Sequence, residues 1–313
     1  MLDVLSFAAS VTAPIFMWIT LGLVLKAIGW LSEGWISRFS QFVFYVSLPM
    51  LMFFSVVRKP LAEVFSLQLT LCCLIATFIV FWISRRYSKS NMPVKDATVF
   101  QQAALRGNLG IVGIALCLNA YGHEVLVQAS VLMATITIVY NLLCVFIFVE
   151  GMREESFSFP QLVKSVLANP LITAILLGVP VALLGVELPS ELLTVVDKFV
   201  ALSLPLALVA IGGSLNFRSV KADLSFLLKA AGLKLIVAPI LAVLMAVAMG
   251  LQGVALGVVF LLLASPTATA SFVMARAYGA NSKLAANAVV VSTLLSLITI
   301  SAGVTVLSFL NLM

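Results

Sequence analysis

Ten apolar stretches of about 17–25 residues run through the chain, each long enough to cross a bilayer as a helix. They fall at 7–28, 36–56, 66–84, 97–119, 124–148, 164–184, 192–215, 226–249, 253–277 and 283–310. The chain is 63% hydrophobic and 10% charged, more apolar surface than a soluble core of 313 residues can hide. The apolar runs are continuous rather than alternating, which excludes a transmembrane barrel. The expectation is an all-α polytopic membrane protein of ten transmembrane helices. The hydrophilic stretch 150–161 is too short to form a soluble domain. The first helix is read as retained, because 1–3 carry no basic region and no cleavage site follows.

Loop charge sets the orientation. Thirteen Lys and Arg residues lie on one side: Lys26, Arg38, Arg85, Arg86, Lys89, Lys95, Arg153, Lys164, Arg218, Lys221, Lys229, Arg276 and Lys283. Three lie on the other, Arg58, Lys59 and Lys198, while Arg106 and Lys234 fall inside spans. The first side is therefore expected in the cytoplasm and both termini outside. The net charge of +6 is loop charge of this kind, and nucleic acid is not an expected partner.

The chain repeats itself. Pro14, Gly22, Gly29 and Ser47-Leu48-Pro49 return 156 positions later as Pro170, Gly178, Gly185 and Ser203-Leu204-Pro205. Ala120-Tyr121-Gly122 returns as Ala277-Tyr278-Gly279, shifted by 157. Each half, 1–149 and 164–313, holds an odd number of spans, so the halves enter the membrane in opposite directions. A short cytoplasmic linker at 150–163 joins them. Inverted repeats of this kind are typical of secondary transporters.

Two spans are interrupted. The fourth contains Arg106-Gly107-Asn108-Leu109-Gly110-Ile111-Val112-Gly113, and the ninth contains Ser265-Pro266-Thr267-Ala268-Thr269-Ala270-Ser271. Each glycine weakens a helix by roughly 1 kcal/mol, and an intramembrane guanidinium costs several kcal/mol unless paired or hydrated. The 156-position shift sets Gly110 on Pro266, so the breaks occupy equivalent places and are expected to cross. Broken helices expose N–H groups at one half-helix end and carbonyls at the other, suited to anions and cations respectively. Arg106, Asn108, Gly110, Ser265, Pro266, Thr267 and Thr269 are the candidate substrate-binding residues, with Gly107, Asn108 and Pro266 at the crossover. A plain packing kink is the competing reading of either break alone.

The twelve acidic residues all fall in loops or at span ends, leaving no carboxylate to pair with Arg106. Arg106 then serves either a substrate carboxylate or the carbonyls freed by the break, and the sequence leaves both open. Lys234, about five residues inside its span, reads as a snorkelling or supporting cation. Asn141 and Asn287 read as supporting residues that bond across helices. Absence of a buried acid argues against proton or sodium antiport, while sodium coupling through neutral oxygens stays open; any coupling ion would be Na+ or H+. Cys72, Cys73, Cys117 and Cys144 lack metal-ligand spacing, and His123 stands alone in a short loop. No nucleophile–base pair or phosphate loop is present, so no catalytic residue, metal or cofactor is expected.

The stretches 100–113, Lys234-Leu235-Ile236-Val237-Ala238-Pro239, 265–279 and Ser292-Thr293-Leu294-Leu295-Ser296 resemble the auxin efflux carrier family, specifically its compact bacterial members. The resemblance covers essentially the whole chain. It implies a fold shared with bile-acid symporters and NhaA-type antiporters. Spans 1, 2, 6 and 7 would form a scaffold, often dimeric, and spans 3–5 and 8–10 a mobile transport domain. Crossed breaks in spans 4 and 9, at Asn108 and Pro266, would hold the substrate during an elevator-like movement. It further implies a small organic anion, malonate- or auxin-like, carried across a bacterial inner membrane. Two departures stand out: Ile114-Ala115 replaces a proline common in relatives, so span 4 is expected to unwind less, and the long regulatory loop of plant carriers is missing. Alternatives are a sodium-coupled bile-acid-like symporter and a non-transporting membrane sensor.

Overall fold

The structure is a computed structural model, described over residues 2–57, 66–152, 170–186, 188–215 and 223–313. Most of the linker at 150–163, and the charged residues Arg58, Lys59, Arg153, Lys164, Arg218 and Lys221, lie outside the described residues. Every regular element among the described residues is helical. In chain order these are α1 (Leu2–Ala27), α2 (Glu33–Phe42), α3 (Leu48–Val57), α4 (Leu67–Asn91), α5 (Val94–Leu105), α6 (Ile114–Tyr121) and α7 (Leu126–Met152). They continue as α8 (Pro170–Leu183), α9 (Ser190–Ser214), α10 (Leu224–Gly232), α11 (Ala238–Ala248), α12 (Gly253–Leu263), α13 (Ala270–Ala277) and α14 (Ser282–Phe309).

Five of the described helical runs are long and apolar enough to cross a membrane: Ser6–Ala27, Leu67–Asn91, His123–Gly151, Leu224–Ala248 and Ser282–Phe309. Shorter apolar helices accompany them at Leu109–Tyr121, Ile172–Leu183, Pro205–Ser214 and Gly253–Leu263. Local chemistry sets several ends. The Ser66 hydroxyl accepts the Leu69 N–H at the start of α4, and the Asn281 side chain accepts the Leu284 N–H at the start of α14. Gly122 and Gly279, with φ of 73° and 69°, let the chain leave α6 and α13 in a backbone region that side chains resist.

Two widened π-helical turns, Val43–Ser47 and Leu233–Val237, precede Pro49 and Pro239 at the same two-residue offset. A proline ring inside a helix clashes with the carbonyl four residues back. That carbonyl belongs to Tyr45 in one case and Leu235 in the other, and both lie in the widened turn. The π turn accommodates the ring without ending the helix.

The helices pack as two groups. One joins α1 to α9, α3 to α8 and α2 to α9; the other joins α4, α5, α7 and α10–α14. Contacts of α1 with α14 and α6, and of α3 with α7, connect the groups. Close approach in the first group depends on glycine. A Cβ on Gly22 would fall 2.0 Å from the Val209 carbonyl oxygen, and one on Gly178 would fall 3.1 Å from that of Phe53. Adding 156 to 22 and to 53 gives 178 and 209, so the sequence repeat recurs as the same backbone contact. A Cβ on Gly212 would lie 1.8 Å from the Ile19 carbonyl oxygen.

One end of the second group carries its charges. Glu150 on α7 bonds Arg85 and, at 2.8 Å, Lys89 on α4. Lys229 donates to the Tyr87 hydroxyl at 2.8 Å, and Asn281 donates to Asp96 at 2.9 Å. All of these belong to the side that loop charge assigns to the cytoplasm.

The α1–α9 contact yields a stability test. Gly212→Val is expected to destabilise the purified protein by about 2 kcal/mol or more, as overpacking against backbone does. Thermal unfolding in detergent checks this, and an unchanged melting temperature would contradict the packing.

Candidate functional site

The two breaks meet as one short antiparallel bridge between Gly107 and Thr267. The Asn108 N–H donates to the Pro266 carbonyl at 2.7 Å, and the Ala268 N–H donates to the Arg106 carbonyl at 2.9 Å. Asn108 therefore faces Pro266, and the register differs from the 156-position shift, which sets Gly110 there. The half-helices that follow do keep that shift, since α6 and α13 span 114–121 and 270–277. The discrepancy arises between the halves of each span. Eight residues, 106–113, separate α5 from α6, but only six, 264–269, separate α12 from α13. Five of the eight form a π turn, Leu109–Gly113, so the extended backbone in span 4 is confined to 106–108.

Three of the freed carbonyls at the break are taken up by side chains. Pro266 has no N–H for the Leu262 carbonyl, which instead accepts the Ser265 hydroxyl at 2.7 Å. The Thr267 N–H turns to the Ser292 hydroxyl at 3.1 Å, releasing the Leu263 carbonyl. The Lys234 ammonium takes that carbonyl at 2.8 Å. In span 4, the Ala103 carbonyl accepts the Thr267 hydroxyl at 2.9 Å. Ser265 and Thr267 are thus spent on backbone, and both are buried. Lys234 is 0% exposed and lies against the crossover, so it does not snorkel towards an interface.

N–H groups meet the opposite outcome. Those of Gly107, Leu109, Gly110, Ile111, Thr269 and Ala270 have no acceptor among the described residues. All six residues border a cavity of about 80 Å³, together with Arg106, Asn108, Ala268 and the α7 side chains Met133, Thr137 and Tyr140. The starts of two helical runs, at Leu109 and Ala270, therefore converge on one small space with their donors unspent. Asn108 is 7% exposed, and its carboxamide makes no hydrogen bond among the described residues.

Arg106 is half-buried at the cavity edge, directly after α5. Its Nη1 donates to the Met274 sulfur at 2.7 Å, a weak acceptor for a charged donor. No carboxylate pairs with it among the described residues. Of the candidates, Arg106, Gly107, Asn108, Gly110 and Thr269 border the cavity, whereas Ser265, Pro266 and Thr267 pack behind it with Lys234. Asn141 and Asn287 are buried on α7 and α14 outside its lining. Sequence reasoning missed Thr137 and Tyr140. Their spacing of four and three residues, from Met133 to Thr137 to Tyr140, puts them on one face of α7 and is the signal that points to them.

Comparison with known proteins gives a consistent picture. The family described as membrane transport protein matches residues 9–302. The chain is similar to a transporter of Methanothermobacter thermautotrophicus without assigned substrate, 26% identical over 90% of this chain and 92% of that protein. It is also similar to a Rhizobium meliloti protein provisionally named a malonate transporter, 27% identical over 88% and 86% of the two chains. A third relative, another transporter without assigned substrate, from Methanocaldococcus jannaschii, is 21% identical over 90% and 93%.

The geometry separates bracing residues from cavity residues. Thr267→Val leaves a buried carbonyl unsatisfied and is expected to cost about 1–3 kcal/mol of stability. Asn108→Ala removes no bond and is expected to melt within about 0.5 kcal/mol of the parent. Side-by-side thermal unfolding of the two variants checks the distinction, and equal losses would contradict it.

Proposed function

This chain belongs to the membrane transport protein family, that of the auxin efflux carriers, and from that premise we propose that it is a secondary carrier of a small organic anion. The observation that carries the reading is the cavity at the crossover, where six unspent N–H groups and the unpaired guanidinium of Arg106 converge. The Arg106 guanidinium and the N–H ends of the two helical runs that border it favour negative charge. Arg106 would clamp a carboxylate by paired N–H bonds, exchanging a thioether for a strong acceptor. The carboxamide of Asn108 and the hydroxyl of Thr269 would orient the remainder of the substrate.

The cavity volume helps choose among anions. About 80 Å³ lies far below the roughly 300–1,000 Å³ of pockets that enclose drug-sized ligands. A mono- or dicarboxylate of a few carbons, malonate-like, suits that space better than a bile-acid-like steroid. The provisional name of the Rhizobium relative points to the same class.

Architecture supports alternating access in this reading. The Gly22–Val209 and Gly178–Phe53 contacts, exchanged by the 156-position shift, favour two inverted five-helix repeats making up a ten-helix fold. The α1–α3, α8 and α9 group is proposed as scaffold, through which two copies would associate. The α4–α7 and α10–α14 group is proposed as the moving, elevator-like part. In this reading both termini face outward from a bacterial inner membrane, the orientation that loop charge favours. No step in this scheme needs catalysis.

Uptake of labelled malonate and a panel of other mono- and dicarboxylates into proteoliposomes tests the proposal. We expect saturable flux of at least one small carboxylate, with a loss of about tenfold or more in Arg106→Ala, the value of one charge-assisted carboxylate contact. Arg106→Lys is expected to recover part of it. Flux indifferent to Arg106→Ala would remove that residue from the site, and no flux for any acid would favour a sensor.

A further inference from the structure

The least explained group in the molecule is the Lys234 ammonium. It is 0% exposed, has no carboxylate partner among the described residues, and borders no part of the cavity lining. Its one hydrogen bond runs to the carbonyl of Leu263, the last residue of α12. Three features of that place bear on its role.

The first is field. A half-helix that ends inside the protein concentrates partial negative charge on its final carbonyls, equivalent to roughly half an elementary charge. In broken-helix carriers such ends are where a coupling cation binds. The second is occupancy. Around this end the Phe260 carbonyl accepts the Ala264 N–H, the Leu262 carbonyl accepts the Ser265 hydroxyl, and the Leu263 carbonyl of the last residue is taken by Lys234. Near the end of α5 the added donor is neutral, the Thr267 hydroxyl on the Ala103 carbonyl. The third is fit. A Cβ on Gly107 would lie 2.8 Å from the Lys234 Nζ and 2.7 Å from the Ser265 Oγ. A missing side chain at the crossover is what admits the ammonium.

We infer that Lys234 is a built-in counter-cation: its ammonium occupies the half-helix C-terminus where a coupling sodium would otherwise sit. The carrier therefore has no vacant sodium site at the α12 end, and carriage of the anion is independent of sodium. The consequence for transport rests on the carrier reading above, whereas occupancy of the site by the ammonium does not. The side chain reaches the site from the π turn Leu233–Val237, which precedes Pro239 and is held by α10 and α11 on either side. Cys73 on α4, a buried cysteine, is the ionisable side chain that faces the ammonium.

The test uses full-length protein purified in detergent and needs no substrate. Wild-type melting is expected to be unchanged when sodium chloride is replaced by choline chloride. Lys234→Ala, which leaves both a hole and an uncapped carbonyl, is expected to melt several degrees lower. Methylammonium should return at least half of that loss where equal choline does not. Lys234→Met, of similar length without the charge, is expected to melt low and to ignore methylammonium. A saturable rise in wild-type melting with sodium would overturn the inference. Wild-type-like melting of Lys234→Met would do the same, as would failure of methylammonium to restore a folded Lys234→Ala. If neither variant folds, the wild-type sodium titration still decides. Failure of the carrier reading appears elsewhere, as absent carboxylate flux in vesicles, and leaves these melting results standing.

Discussion

A backbone polar group surrounded by apolar side chains must find a partner inside the protein. The structure turns on how that demand is met where two helices stop midway. Each break releases carbonyls from the preceding half-helix and N–H groups from the following one. The carbonyls are claimed by Ser265, Thr267, Lys234 and the partner strand, while a set of N–H groups stays unclaimed around the cavity. With Arg106 beside them, the unclaimed N–H groups favour an anion in the cavity. Had the carbonyls been left free and the N–H groups closed, the same backbone would favour a cation.

The arrangement needs a rigid frame, and the frame is built from close backbone contact. Gly22, Gly178 and Gly212 bring helices together until carbonyl oxygens of neighbouring helices crowd the place of a Cβ. Contact this close excludes alternative registers, because sliding by one residue would place a side chain against backbone. Between the α1–α3, α8, α9 group and the remainder, the packing is different in kind. It runs through α1 with α6 and α14, and α3 with α7.

Much of this was legible in the residues. Hydropathy located all the described helices, because length and apolarity are what a bilayer selects. The breaks announced themselves as Arg106, three glycines and Pro266 in otherwise apolar runs. Their register did not, since it depends on a π turn at Leu109–Gly113 that widens one break by two residues relative to the other. No local residue pattern distinguishes a five-residue π turn from an α turn in so apolar a run. The roles of the hydroxyls were equally hidden. Whether Ser265 and Thr267 face a cavity or a carbonyl depends on which way the extended backbone turns, and that is set by Pro266 and by Ser292 on α14. Lys234 was legible as a charge and not as a cap, because the carbonyl it serves lies 29 positions away in the chain.

The difference between the two breaks has a physical consequence. Span 9 is broken at a proline, which has no N–H to close the helix onto the Leu262 carbonyl. Span 4 is broken at Gly107 and Asn108, neither of which lacks an N–H, so its extended state is held by neighbours: the bridge to Thr267, the Thr267 hydroxyl on Ala103, and the Lys234 and Ser265 atoms filling the space of the missing Cβ. The proline break therefore acts as the template and the glycine break as its dependent. In that order of dependence, Gly107 is needed for fit rather than for flexibility, since its backbone is extended and open to any residue, while the space beside it is not. The crossover keeps its shape because one strand lacks the N–H that would rejoin its helix and the other has no room for a side chain.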